Sequence, residues 1–300
     1  MEIFSFLRYY CVWQYFSITD TAVYALSCLL ISAVILGGRH FFRKVWRPDC
    51  GAIVKADAYI VSILTSVVMC TVGTIVMAQV FGQMKGITDL GTIRRLMEEE
   101  PFLGRALCLY FLAHCHMDLI LGNIFYPAYL DIIIAYVHHA IYTFTILELL
   151  CRRNTFLFGL FAIDELPNIM LALGTIHKPF RTDLSFEIVW YVFRIFYHTI
   201  VMIYMACLGP GVTGKFPLLI SFLALLTHIE WIWRKTVRRL ASLGLIKPPK
   251  SKQSEQEKEK EKQQTKRPTL DTQGAATVAP QSEGGTSPTA SSPSRSKKDS

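Results

Sequence analysis

The chain has 300 residues, 52% hydrophobic and 18% charged, with a formal net charge of +8 and a mean hydropathy of +0.34. The apolar residues crowd into the first 246 positions, which leaves too little polar surface for a water-soluble domain and excludes an ordinary soluble enzyme. The cations are too spread out for a nucleic-acid footprint; long apolar runs edged by cations mark a membrane protein instead.

Residues 1–20 begin the chain as an aromatic, interfacial segment. It lacks a basic region leading into a short apolar core and a small-residue cleavage site, so it predicts no cleaved signal peptide. Seven apolar runs follow, at 21–38, 58–81, 106–125, 128–150, 155–176, 188–208 and 216–233. Each approaches the ~20 residues that cross a bilayer. Lipid offers the backbone no hydrogen bonds, so these runs predict helices. The fold class is therefore all-α, a polytopic transmembrane bundle of about seven spans with a disordered tail. Residues 21–57 hold the first span and a basic loop, 58–240 the main transmembrane domain, and 241–300 the tail. Tyr126 and Pro127 make the turn between the third and fourth runs tight, which leaves open that one of the two is re-entrant.

Orientation follows from lysine and arginine. Arg39, Arg43, Lys44, Arg47 and Lys55 follow the first run, and Arg234, Lys235, Arg238 and Arg239 follow the last. An odd number of spans puts both clusters on one side, the cytosolic one, with the N-terminus lumenal. Arg94, Arg95, Arg152 and Arg153 fall on the opposite side. The tail is rich in Lys, Glu, Gln, Ser, Thr and Pro and cannot bury enough apolar surface to fold. Near its end, Lys297 and Lys298 resemble a dilysine signal for retrieval to the endoplasmic reticulum, an address read by a coat or retrieval receptor. The eight cysteines form no CxxC and lie largely in apolar runs, so no metal or disulfide framework is expected.

Six histidines fall inside the runs, with several carboxylates and Arg194. A charge at bilayer depth is costly and usually faces a protein interior or a wet cavity. Helical spacing sorts these residues. His114 and Asp118 share a face, as do Arg194 and His198. Asp131 and His138 are seven apart and share another. Pro167 interrupts the fifth run beside Asp164, Glu165 and Asn168 and frees a backbone carbonyl. The adjacent pair His138–His139 points about 100° apart on a helix, so the two rings suit divided labour better than chelation. One can serve as a base for a hydroxyl or amine while the other holds structure.

These features resemble the TLC domain family, which includes ceramide synthases and the translocating-chain-associated proteins. The resemblance rests on order: YFLAHCHMDLIL, then AYVHHAIYTF with the double histidine, DELPNIMLAL, FEIVWYVFRIFYH with a buried-arginine position, and LLTHIEWIWRKTVRR. It covers roughly 59–239. Ceramide synthases carry a further His-Asp motif and a homeobox-like segment that this chain lacks, so it resembles the other branch, the TLC proteins of lipid homeostasis. The resemblance implies an endoplasmic reticulum protein of lipid metabolism. One reading is an acyltransferase with acyl-CoA as co-substrate and no bound cofactor. His138 or His139 would be the base, oriented by Asp118 or Asp131. Arg194, His198, Glu165, Asn168 and His114 would bind substrate. The other is a non-enzymatic regulator of membrane lipids, or a cargo protein of the early secretory pathway.

Overall fold

A computed structural model of the chain describes residues 16–41, 43–44, 50–86 and 88–246. The N-terminal segment up to residue 15, most of the first basic loop, and the tail with Lys297 and Lys298 lie outside them. The described residues form helices and turns, with no strand among them. Six helices are long and apolar enough to span a membrane, and the protein is a multi-pass membrane protein.

The first helix, α1, runs Ile18–Phe41, three residues beyond the apolar run at each end. Ser17 extends it with a reciprocal cap. The Ser17 N–H donates to Asp20 Oδ2 at 2.8 Å, and the Asp20 N–H donates to Ser17 Oγ at 3.1 Å, so polar side chains satisfy donors that the helix start leaves free. Helix α2 is Cys50–Gln83. Helix α3, Leu90–Glu99, is short and amphipathic. Its apolar side buries Ile93, Leu96 and Met97. Its outer side pairs Arg94 with Glu98 and Arg95 with Glu99. The two arginines on the unexpected side are thus neutralised locally. Asp89 caps this helix through the Thr92 N–H at 3.1 Å. Donation from the Lys85 backbone N–H, then from Thr92, holds the Asp89 carboxyl below its ordinary value.

Helix α4, Phe102–Phe125, is the centre of the bundle. Its apolar window is 56% buried, against 17% for α1. Leu107, Phe111 and Cys115 of α4 pack with Met69 of α2, and with Ile146 and Leu149 from the fourth run. That run is not a uniform helix. A 3-10 turn at Pro127–Tyr129 leads into a π-helix, Ile132–Val137, and then into α5, His138–Arg152. It nevertheless traverses the bundle. At one end Tyr136 donates to Asn123 near the close of α4. At the other, Glu148 and Arg152 lie beside Gly214, at the start of the last helix. A re-entrant hairpin would return to the end it left, and this run does not.

The fifth run comprises α6, Thr155–Phe161, a 3-10 turn at Ala162–Glu165, and α7, Leu166–Ile176. The sixth comprises α8, Asp183–Trp190, a π-helix at Tyr191–Tyr197, and α9, His198–Leu208. The short α10, Pro210–Thr213, leads to α11, Lys215–Ser242. Gly73 of α2 lets the 3-10 turn come close: a Cβ there would stand 2.9 Å from Ala162 Cβ. Leu26, Ile133, Phe196, Leu219 and Trp233 are exposed on the outside. In water such a surface would aggregate, and in a bilayer it faces lipid.

Candidate functional site

The departures from regular α-helix sit where the titratable residues are. One π-helix ends at His138, and the other holds Arg194 and ends at His198. Irregular turns within helices often mark functional sites, because they re-aim side chains at a cost in backbone regularity. The 3-10 turn has a local cause. Pro167 has no N–H to give the carbonyl of Ile163, four residues back. The Leu166 N–H bonds that carbonyl instead, tightening the turn. The tight turn carries Asp164 and Glu165.

Two polar groups result. The first joins α4 to the fourth run. Tyr126 donates to Asp118 Oδ1 at 2.6 Å, and Asp118 Oδ2 lies 3.6 Å from His139 Nε2. The His139 ring is buried and stands 5.7 Å from the ring of His114. His114 Nδ1 hydrogen-bonds Thr65 Oγ1 at 2.9 Å. His138 is exposed on the helix surface, with its ring 4.5 Å from that of Tyr142.

The second group lies deeper, between α2, the fifth and sixth runs, and α11. Glu165 accepts from Arg194 at 3.0 Å, from Asn168 at 2.6 Å and from Ser66 at 3.2 Å. Arg194 also reaches His228 Nε2 at 3.1 Å. Beside it, His198 Nδ1 is 2.6 Å from Asp164 Oδ2. His198 Nε2 faces Ser221, at 3.0 Å from its carbonyl oxygen and 3.2 Å from its hydroxyl. Two buried polar atoms of this group, Arg194 Nε and Asp164 Oδ1, have no hydrogen-bond partner.

Most of these residues line one cavity of about 80 Å³, room for several waters. Asp164, Glu165, Arg194, His198 and His228 form its polar part, and Leu157, Phe158, Met205 and Ile220 are among its apolar walls. Tyr142 also lines it, which sets His138 one ring away. Among the described residues, no three His, Cys, Asp or Glu side chains converge to hold a metal ion.

The structure thus brings His114, Asp118 and His139 together, and Glu165, Asn168 and Arg194 together. His198 shares the cavity of Arg194 but bonds Asp164. Asp131 is exposed and accepts the Ile133 N–H at 2.8 Å, at the head of the π-helix that leads to His138. The carboxylate beside the double histidine is Asp118. Ser221 was missed, and His228 was seen only as an intramembrane histidine. They lie seven residues apart on α11, one face of one helix, and that repeat was the available signal. Comparison of the chain with family models, curated proteins and solved structures finds no match.

Proposed function

We propose that this membrane protein acts on lipids as an acyl-CoA-dependent acyltransferase of the TLC type. One observation carries the reading: the Arg194–Glu165–His228 cluster lines a cavity with apolar walls, inside a bundle whose outer surface is apolar. A few placed polar groups in an apolar pocket suit an amphiphile, whose head they orient. Arg194 supplies the cation for a phosphate or carboxylate. His138, uncovered and next to the cavity wall, takes the proton of an amine or hydroxyl acceptor as that acceptor attacks the thioester carbonyl. The carbon–sulfur bond breaks, and CoA leaves with a proton on sulfur. His139 is anchored from behind by Asp118. Sphingoid base, lysophospholipid and glycerophosphoglycerol all fit as acceptor.

The test uses purified full-length protein with palmitoyl-CoA and each acceptor in turn. Free CoA thiol and an acylated acceptor of the right mass are expected. Intact palmitoyl-CoA in all three mixtures overturns the reading. It would favour a non-enzymatic lipid regulator, for which the small cavity, sized for part of a headgroup, is the supporting observation.

The proposed location is the endoplasmic reticulum membrane, with Lys297 and Lys298 as the retrieval signal. The N-terminus is lumenal and the tail cytosolic. Arg39 and Arg239, near the ends of α1 and α11, fall on the same side of a seven-pass bundle, which agrees with cytosolic enrichment of cations. A tag placed after Ser300 should be digested by protease in intact microsomes. A protected tag would reverse the orientation.

A further inference from the structure

We propose that Ser221, His198 and Asp164 form a buried nucleophile–base–carboxylate triad, and that Ser221 carries the acyl group as a covalent ester. Their order in space is the one such chemistry needs. Asp164 Oδ2 lies 2.6 Å from His198 Nδ1, and His198 Nε2 faces both the Ser221 carbonyl oxygen at 3.0 Å and the Ser221 hydroxyl at 3.2 Å; in the tautomer that gives the Nδ1–H to Asp164, Nε2 can take the hydroxyl proton. A carboxylate on one ring nitrogen fixes the tautomer whose other nitrogen is a base. Each of the three residues is more than nine-tenths buried, and all three line the cavity.

The Ser221 hydroxyl, like those of Thr65 and Ser66, reaches across to another helix. Those of Ser27, Thr74, Thr145, Thr175 and Thr199 turn back to the carbonyl four residues earlier. That is the ordinary rest position of a helical hydroxyl. Ser221 points across to another helix and to an imidazole nitrogen. Its own carbonyl, 3.0 Å from the same nitrogen, receives the Nε2–H once the proton has moved. The imidazolium is thereby held between Asp164 and a carbonyl. Arg194 lines the same cavity, and its Nε makes no hydrogen bond. It is the donor available to an oxygen as negative charge develops there.

The step balances without a further reactant. Ser221 Oγ attacks the carbonyl carbon of a long-chain acyl thioester, and its proton passes to His198 Nε2. The carbon–sulfur bond breaks, and the thiolate takes that proton. In place of direct attack on the thioester, the acceptor then attacks the acyl-serine ester, and His198 Nε2 takes its proton and returns it to Ser221 Oγ as the ester carbon–oxygen bond breaks. Only the choice of thioester rests on the acyltransferase reading.

The experiment separates the two. Full-length protein in detergent is treated with an alkyl fluorophosphonate, which reports an activated serine without any CoA chemistry. The expected result is one phosphonyl adduct, mapped to Ser221 by mass spectrometry. Ser221→Ala abolishes it while keeping the backbone carbonyl that His198 contacts, and Asp164→Asn slows it by ~100-fold or more. A monodisperse wild-type protein that takes no label at Ser221, or equal labelling of Asp164→Asn, overturns the triad. CoA release that survives Ser221→Ala also overturns it and leaves acyl transfer standing. A labelled Ser221 with intact acyl-CoA upholds the triad and sinks the acyl-CoA reading instead.

Discussion

Arg194→Gln should yield little monodisperse protein and a much lower thermal midpoint in detergent than the wild type. Arg194 is 7% exposed, and its guanidinium bonds both Glu165 and His228. Without it, Glu165 keeps only the neutral donors of Asn168 and Ser66. Breaking a buried ion pair from one side costs about 3–5 kcal/mol, because the surviving charge stays buried and uncompensated. A protein with the usual ~5–15 kcal/mol of stability loses a large share of it. The double variant Arg194→Gln/Glu165→Gln removes both charges together and should recover most of the yield. The prediction is decided by size-exclusion profiles of the three proteins. A single variant as well behaved as the wild type would mean that the pair is not an internal cross-link.

The double histidine should divide cleanly under mutation. His138→Ala is expected to lower acyl transfer by ~100- to 10,000-fold, the usual contribution of a general base, with expression near normal, because the residue is exposed. His139→Ala removes a buried ring beside Asp118 and should lower yield before it lowers specific activity. Asp118→Asn should then resemble His139→Ala. Rescue of a knockout lipid profile and expression level, read side by side, give the answer. Full rescue by His138→Ala would remove His138 from the chemistry.

The helices were legible because hydropathy responds to length and composition alone: α1, α2, α4 and α11 fall on their apolar runs. The cap at Ser17 and the extra turn at Phe102 were harder to see, since polar or aromatic ends dilute a hydropathy window. The π-helices at 132–137 and 191–197 left no trace. Their residues are as apolar as those of a regular helix, and only the backbone register differs. The Arg194–Glu165 pair could be suspected from two charges at bilayer depth, which need partners. Their mutual contact, 29 residues apart, is a product of packing. The Pro167 signal was the most informative, because a missing N–H has a local consequence that can be worked out before any fold is known.

The tie between the first and third spans bears on how the chain is made. Asp20 is bound by Arg105 through two contacts of 2.7 and 2.9 Å, and the two are 85 positions apart. At roughly 5–20 residues per second, the ribosome takes about 4–17 s to supply the second partner. The Ser17–Asp20 contact is local and needs no other span, whereas the seat against Arg105 exists only after the third helix has left the tunnel, so α1 is translated well before it is locked in place.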